Sequence, residues 1–217
     1  MWYQLRSRGF KRVLNGNYYD QNFYEEHVEL KSAYQELADL IFARFHPKSA
    51  CDFGCGNGYL LQFLARRGVD VAGFEGSEAA LHFIDSSVRD RIIIRNLSET
   101  INAPIHDLVI STEVAEHVPK KHAPVLVNNL TRSARNSIVF SAAQPGQWGD
   151  GHINCQPKQF WIDLFASRGW EYDLAATNEF TSALKESSEI PKKLPWLVNN
   201  FMLFGPFKSP SKTRMGE

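Results

Sequence analysis

Residues Cys51-Asp52-Phe53-Gly54-Cys55-Gly56-Asn57-Gly58 form a stretch in which three glycines stand at alternate positions. Glycine lets a backbone turn sharply and lets a ligand approach without meeting a Cβ atom. The N–H groups at the start of a following helix would face that ligand. Glu75 lies roughly 20 residues after the glycines, where a carboxylate accepts hydrogen bonds from ribose hydroxyls. The stretch therefore predicts a nucleotide-type cofactor site.

The glycine pattern separates two classes of cofactor. Nicotinamide and flavin folds use G-x-G-x-x-G/A, whose last small residue allows the helix to pack closely on the strand. Tyr59 stands at that place here, which disfavours a nicotinamide dehydrogenase. The stretch instead reads D-x-G-x-G-x-G and resembles motif I of the class I S-adenosylmethionine (SAM) methyltransferases. A glycine turn without any ligand is the alternative, and it leaves Glu75 unexplained.

Length and composition limit the class of protein. The 217 residues suffice for one α/β domain, and 24 basic side chains balance 24 acidic ones. With no net charge, nucleic acid is disfavoured and a small-molecule substrate is expected. No apolar run reaches the roughly 18 residues that a membrane span needs. Three cysteines, two of them flanking the glycine turn, indicate reduced thiols in a cytoplasmic protein.

Apolar periodicity predicts alternating strands and helices, which is typical of a parallel sheet covered on both faces. Residues 1–46 are predicted to form an N-terminal helical lid, 47–207 the SAM-binding domain and 208–217 a disordered tail. Arg6, Arg8, Lys11 and Arg12 suit a basic segment near the mouth of the site better than an organelle transit peptide. The predicted strands are 49–53, 70–74, 91–95, 107–111, 137–141, 170–174 and 201–204, and the predicted helices after the lid are 59–67, 78–86, 123–134 and 158–167.

The resemblance also implies a topology and a set of cofactor contacts. It implies a Rossmann-like, doubly wound sheet of seven strands, with the last strand antiparallel between the fifth and sixth. The glycine turn would hold the methionine part of SAM, Glu75 the ribose, and the residues after the third and fourth strands the adenine and the sulfonium region. The residues assigned to SAM binding are Tyr19, Asp52, Phe53, Gly54, Cys55, Gly56, Glu75, Gly76, Ser77, Asn96, Leu97, Thr112 and Glu113.

A second motif, Glu113-Val114-Ala115-Glu116-His117, follows the predicted fourth strand. It resembles the E-V-x-E-H motif of small-molecule and quinone methyltransferases, some of which bind Mg²⁺ there. On a helical turn Glu113, Glu116 and His117 would face one point. Mg²⁺ prefers oxygen ligands, so a Glu-His pair that orders the loop is the favoured interpretation over a metal site.

The long loop after the fifth strand contains Gly151-His152-Ile153-Asn154. Long loops in compact domains are usually functional. His152 titrates near neutrality and is predicted to act as a general base, with His117 as a second catalytic candidate; the alternative is a loop histidine that only bonds the backbone. Trp148, Trp161 and Tyr18 or Tyr19 are candidates for the wall of an acceptor pocket.

These observations predict SAM-dependent methyl transfer to a hydroxyl or amine of a small molecule. A positively charged sulfonium is already activated, so positioning of the acceptor should dominate catalysis. A non-catalytic SAM-binding or partner-binding domain is the alternative, since a fold does not guarantee a reaction.

Overall fold

The computed structural model describes residues 19–207, which form one seven-stranded sheet with helices on both faces. The strands are β1 Ser49–Phe53, β2 Asp70–Glu75, β3 Ile92–Ile94, β4 His106–Thr112, β5 Ala134–Ser141, β6 Trp170–Tyr172 and β7 Phe201–Pro206. The helices are α1 Gln21–Glu26, α2 Lys31–Phe45, α3 Tyr59–Ala65, α4 Ser86–Arg89, α5 Ala123–Ser133, α6 Lys158–Ala166, α7 Leu174–Glu186 and α8 Ile190–Lys193.

The order of strands across the sheet is β3-β2-β1-β4-β5-β7-β6. The pairs β1–β2, β1–β4, β2–β3 and β4–β5 are parallel, whereas β7 runs antiparallel to both β5 and β6. The predicted doubly wound topology with an antiparallel last strand is therefore confirmed. The chain order reverses between β1 and β4, and in such sheets the ligand lies at this switch point, beyond the carboxyl ends of the strands.

Two apolar cores lie on the two faces of the sheet. Leu61 of α3 and Leu203 of β7 belong to one core, and Trp161 of α6 and Phe140 of β5 belong to the other. Alternation along the strands explains this division, since Leu203 and Phe204 point to opposite faces. The sheet is thus held rigidly from both sides, and its carboxyl edge carries the loops that form the site.

Helix α2 packs within the core that contains Leu61 and Leu203. Its buried residues Ala33, Leu37, Ala38 and Ile41 form one stripe at helical spacing. The helix ends where His46 adopts a left-handed backbone (φ 41°) directly before Pro47. Glu36 ties α2 to α8, because its carboxylate accepts hydrogen bonds from the backbone N–H groups of Ser188, Glu189 and Ile190.

Two predicted elements differ from the structure. The helix expected over 78–86 is a 3-10 helix, Glu78–His82, followed by α4, because Asp85 caps a new helix by accepting from the N–H of Ser87. The strand expected over 170–174 ends at Tyr172, because Asp173 accepts from the N–H of Ala176 and begins α7. The sequence interpretation missed α7 and α8 altogether.

Candidate functional site

The glycine turn lies between β1 and α3, as predicted, and two of its glycines are required for different reasons. Gly54 has a positive φ of 87°, and a Cβ atom there would lie 2.3 Å from Cγ2 of Val114. Gly56 also has a positive φ, of 54°, but no heavy atom lies within 4 Å of where its Cβ would stand. Gly54 therefore permits close packing of the second motif on the first, while Gly56 borders open space where a ligand can lie against the backbone.

Glu75, at the end of β2, is 8% exposed and joins the glycine turn to the next loop. One of its oxygens, Oε2, accepts from the N–H of Gly56 at 2.8 Å. The other, Oε1, accepts from the N–H groups of Gly76 and Ser77 at 2.8 and 3.1 Å. Glu75 therefore has the predicted place beside the turn, and its bonds with backbone N–H groups hold the carboxylate in a fixed orientation.

Asp52 lies beneath the turn and is 3% exposed. Burial, reinforced by the negative charge of Glu75, raises the pKa of Asp52 to about 8. Its Oδ1 atom has no hydrogen-bond partner within residues 19–207. A buried oxygen of this kind is costly unless something donates to it, so Asp52 offers a hydrogen-bond site to a ligand.

The N-terminal segment covers this part of the site. The carbonyl of Tyr19 accepts from the hydroxyl of Ser77 at 2.8 Å, and the carbonyl of Tyr24 accepts from the amide of Asn57 at 2.9 Å. Beneath the segment lies a cavity of about 50 Å³. It is lined by Phe23, Tyr24, His27, Tyr34, Asp52, Gly54, Cys55, Gly56, Asn57, Tyr59 and Thr112.

Several assigned cofactor residues lie at this edge without lining the cavity. The side chain of Phe53 is fully buried against Phe74, so only its backbone faces the turn. Leu97 is 8% exposed, whereas Asn96 is exposed and donates to Glu99.

A groove of about 640 Å³ lies elsewhere, between α2 and α7, and none of the predicted site residues lines it.

The second motif begins with a strained residue. Glu113 has a positive φ of 54°, which is unusual for a residue with a side chain. Its N–H bonds Ser141, and its two carboxylate oxygens accept from the Asn200 amide at 3.1 and 3.2 Å. Burial raises the pKa of Glu113, although the hydrogen bonds from Asn200 and Ser141 oppose the rise.

Glu116, His117 and His152 form a group of titratable side chains at this edge. One ligand atom from each lies within 4.8 Å of the others, and the rings of His117 and His152 are 4.9 Å apart. Glu113 is not in this group, although its carboxylate is hydrogen-bonded to that of Glu116, so the expected meeting of Glu113, Glu116 and His117 is seen only between the two carboxylates. The cause is local: Ala115–His117 is a 3-10 turn, and Glu113 outside it is bonded to Asn200.

Burial sets the charges within this group. It raises the pKa of Glu116 to about 8, with a further contribution from the charge of Glu113. Burial and the neighbouring His152 lower the pKa of His117 to about 4, and burial also lowers the pKa of His152. Both imidazoles are therefore neutral at pH 7, and the low pKa makes His117 a weak base.

The loop after β5 folds back over the second motif. The N–H groups of Ile153 and Asn154 both donate to the carbonyl of Glu116 at 2.9 Å. Nδ1 of His152 lies 3.1 Å from the carbonyl of Gln147, which fixes the ring. Long loops of this kind are usually functional, and this one brings His152 to His117 as a pair.

The aromatic residues predicted to wall an acceptor pocket lie in different places. Trp161 is fully buried in the core against Phe140, so it cannot line a pocket, and Trp148 is 94% exposed. Tyr19 contacts the edge of the His117 ring at 5.6 Å between ring centres. Tyr18 lies outside the described residues. Cys51 and Cys55 are buried and Cys155 is half-buried, and none of the three is paired in a disulfide.

Sequence reasoning missed Tyr24, Asn57, Asn154 and Asn200. Asn200 and Asn154 are 0% and 2% exposed and contact the second motif directly. An Asn immediately before a terminal strand is a weak signal, whereas Asn57 lies inside the glycine stretch itself.

None of the helices in residues 19–207 has the length and apolar character of a membrane span.

The profile of a known family, described as a methyltransferase domain, matches residues 24–175. The chain belongs to the methyltransferase domain family. The match covers both motifs and the sheet from β1 to β6, and it confirms the resemblance to class I SAM-dependent methyltransferases that motif I indicated.

Related sequences and structures agree with this family. The ubiquinone biosynthesis O-methyltransferase of Psychrobacter arcticus is 34% identical over 165 residues, covering 70% of this chain and 58% of that protein. That of Hahella chejuensis is 31% identical over 158 residues, covering 69% of this chain and 60% of that protein. This methyltransferase-family chain thus spans about three fifths of the length of these relatives.

Solved structures show the same fold at low identity. Streptomyces venezuelae DesVI superposes with a TM-score of 0.62 at 14% identity, covering 85% of this chain and 95% of that one. The magnesium protoporphyrin IX methyltransferase of Synechocystis, with bound SAH, gives a TM-score of 0.55 at 19% identity over 77% of this chain and 86% of that one. The methyltransferase fold predicted for this chain is confirmed.

Proposed function

We propose that this chain transfers a methyl group from SAM to a hydroxyl or amine of a small-molecule acceptor. The observation that carries the proposal is the fixed carboxylate of Glu75 beside a glycine turn whose Gly56 borders open space, in a chain of the methyltransferase domain family. A binding module without catalysis is less well supported, because two neutral imidazoles lie at the same edge of the sheet.

The residues present fit SAM. Gly56 and Gly76 both have open space where a Cβ would stand, so an adenosyl group can lie against the backbone there. Glu75 supplies an acceptor for ribose hydroxyls, and the unpartnered Oδ1 of Asp52 supplies one for the amino group of the methionine part. We assign to this cofactor the residues that the resemblance implied, of which Asn96 is the most peripheral. They are Tyr19, Asp52, Phe53, Gly54, Cys55, Gly56, Glu75, Gly76, Ser77, Asn96, Leu97, Thr112 and Glu113.

The sulfonium of SAM, when bound, supplies an activated methyl group. The chain therefore has to bring the acceptor atom into line behind that methyl group and exclude water. The rigid edges of β1, β4 and β5 provide the fixed frame, because their carboxyl ends carry both motifs and the loop of His152.

His152 is the proposed general base for the acceptor hydroxyl. Its ring is held by Gln147, its pKa lies below the usual value because of burial, and it contacts His117. A positioned base contributes typically about 10² to 10⁴-fold to a rate. His117, whose pKa is about 4, is too weak a base to hold this proton at neutral pH, and we assign it to positioning of the His152 ring that it contacts. Oxygen is favoured as the methylated atom, since a hydroxyl gains most from a base and the relatives are named O-methyltransferases.

Mg²⁺ is not part of this proposal. Two of the three ligand atoms that meet at Glu116, His117 and His152 are imidazole nitrogens, whereas Mg²⁺ requires near-octahedral oxygen ligands. We therefore assign Glu116 and His117 to ordering of the loop and to the acceptor side of the site.

The remaining parts of the proposal concern partners and organisation. The zero formal charge supports a small molecule over nucleic acid as substrate, and three free cysteines support a cytoplasmic location. Residues 1–46 are proposed as a lid segment, of which 19–46 are described, and 47–207 as the methyltransferase domain. The predicted tail, 208–217, lies outside the described residues.

The proposal is tested by incubating the full chain with SAM and a panel of phenols, sugars and amines. S-adenosylhomocysteine (SAH) and singly methylated products are measured by mass spectrometry, with Glu75→Ala as the matched control. We expect acceptor-dependent SAH formation that the control lacks. SAH formation equal in both proteins, or no methylated product from a panel that binds to the protein, would contradict the proposal.

A further inference from the structure

The hydroxyl of Tyr24, in α1, is hydrogen-bonded to Glu75, the carboxylate that the proposed function assigns to the ribose. Its hydroxyl donates to Oε1 of Glu75 at 3.1 Å, and its side chain is 2% exposed. Burial and the charge of Glu75 raise the pKa of Tyr24, so the hydroxyl keeps its proton and remains a donor. Neutral tyrosine therefore fills a position on Glu75 that a sugar hydroxyl could take.

The space beneath Tyr24 is too small for a dinucleotide-sized or adenosyl ligand. The cavity measures about 50 Å³, whereas pockets for such ligands hold about 300–1,000 Å³. Its outer wall consists of Phe23, Tyr24 and His27, which all belong to the N-terminal segment, and its inner wall is the glycine turn. The segment from Tyr19 to Leu30 therefore has to move outward before the donor can enter.

Two further hydrogen bonds hold this segment at the site without involving Glu75. Tyr19 is bonded through its carbonyl to Ser77, and Tyr24 through its carbonyl to Asn57. Only the hydroxyl of Tyr24, within the described residues, bonds a Glu75 oxygen from this segment. Loss of that bond opens one acceptor position on Oε1 of Glu75, while the N–H groups of Gly56, Gly76 and Ser77 still hold the carboxylate. The helix itself stays capped, because Asp20 accepts from the N–H of Phe23.

We propose that Tyr24 is a displaceable latch of the cofactor site: its hydroxyl holds Glu75 until the ribose hydroxyls of the donor replace it, and release of this bond controls donor entry. The proposal rests on the proposed function, because it names the residue that the donor must displace. The apparent affinity for a ligand falls with the fraction of molecules that are open, so weakening the latch strengthens binding.

The test is stopped-flow binding of SAH to the full chain, its Tyr24→Phe variant and a Tyr34→Phe control. Tyr34 lines the same cavity, but no hydrogen bond joins it to Glu75 in the described structure. A hydrogen bond to a charged group is strong enough for its removal to raise the association rate constant about tenfold in Tyr24→Phe, with the dissociation rate constant changed less than about twofold. Tyr34→Phe should leave the association rate constant within about twofold of wild type.

A faster association with an unchanged dissociation rate constant distinguishes the latch from a purely structural tyrosine. Loss of a structural tyrosine would change both rate constants or neither. An unchanged association rate constant in Tyr24→Phe overturns the proposal. So does a faster dissociation with weaker affinity, which would show that the hydroxyl binds the cofactor rather than competing with it.

Hydrogen exchange of the free proteins provides a second readout that needs no ligand. Amides of residues 19–30 should exchange faster in Tyr24→Phe than in wild type and Tyr34→Phe, while those of β1 and β4 stay equally protected. Equal exchange in all three proteins overturns the latch. A wild-type chain that fails to bind SAH contradicts the proposed function instead, and hydrogen exchange then still decides whether Tyr24 holds the segment closed.

Discussion

The side-chain amide of Asn200, just before β7, donates to both carboxylate oxygens of Glu113, just after β4, at 3.1 and 3.2 Å. This contact joins the residue before the last strand to the first residue of the second motif. Glu113 keeps its left-handed backbone because Asn200 and Ser141 bond it from two sides. The antiparallel β7 thus supports the site as well as completing the sheet.

Replacing Asn200 with Ala should destabilise the chain, because the buried carboxylate of Glu113 loses its donors. Hydrogen bonds to charged groups contribute about 1.5–3 kcal/mol, and we expect a loss of about 2 kcal/mol in the free energy of unfolding. Urea unfolding measures this. Asn22→Ala, which removes an exposed amide bonded to Asp20, is the control and should change stability by less than about 0.5 kcal/mol. Equal effects in both variants would contradict this role.

Replacing His152 with Ala should lower turnover at neutral pH about 10²-fold or more while SAH affinity stays the same, because the residue is proposed to take the proton of the acceptor. SAH production with an accepted substrate gives the rate, and calorimetry gives the affinity. His82→Ala removes an exposed histidine from the Glu78–His82 turn and should leave both unchanged. Normal turnover in His152→Ala across the pH range would remove the base from the mechanism.

Asp52 predicts a dependence of stability on pH. Its pKa is about 8 in the folded chain, against about 3.9 in an unfolded one. The folded state therefore favours the protonated form, and this contribution to stability is lost as pH rises through about 8. Between pH 5.5 and 8 the loss should be on the order of 3 kcal/mol.

The matched variant for this prediction is Asp52→Asn, which has nearly the same shape and no charge. Its free energy of unfolding should fall less steeply over the same pH window. The decline caused by Glu113 and Glu116 remains, and it is offset in part by His117 and His152, whose lowered pKa values favour the folded state as pH rises. Parallel pH profiles of wild type and Asp52→Asn would show that Asp52 titrates normally.

Addition or removal of Mg²⁺ should leave activity unchanged. Because imidazole nitrogens supply two of the three ligand atoms near Glu116, we expect no Mg²⁺ binding by calorimetry and equal SAH formation with and without Mg²⁺. Loss of activity on chelation that Mg²⁺ restores would contradict the assignment of these residues and would make the group a metal site.

The sequence predicted those features that rest on local rules. The glycine turn and Glu75 at the end of β2 follow from backbone freedom and motif spacing, and the alternation of strands with helices follows from apolar periodicity. The strand order was implied by the resemblance to methyltransferases, and all of these features are observed. The contacts made by Asn200, Tyr24 and His152 join segments far apart in the chain, and no local pattern specifies them. Helix α7 was missed because its start depends on the cap at Asp173, which interrupts an otherwise strand-like run.

The expected convergence of Glu113 with Glu116 and His117 is observed only between the two carboxylates, for a related reason. The prediction assumed regular helical geometry, whereas a positive φ at Glu113 turns its side chain toward Asn200. Backbone strain at functional edges cannot be deduced from residue spacing, because the surrounding structure imposes it.

The assignment of Glu75 to the cofactor is decided by calorimetric titration of SAH into wild type, Glu75→Ala and Glu75→Gln. We expect saturable binding by wild type with one site per chain, severe weakening in Glu75→Ala, and an intermediate affinity in Glu75→Gln, which keeps the shape but not the charge. Circular dichroism checks that the variants are folded. Wild-type affinity in a folded Glu75→Ala variant, or no SAH binding by the wild-type chain, would show that Glu75 does not hold this cofactor.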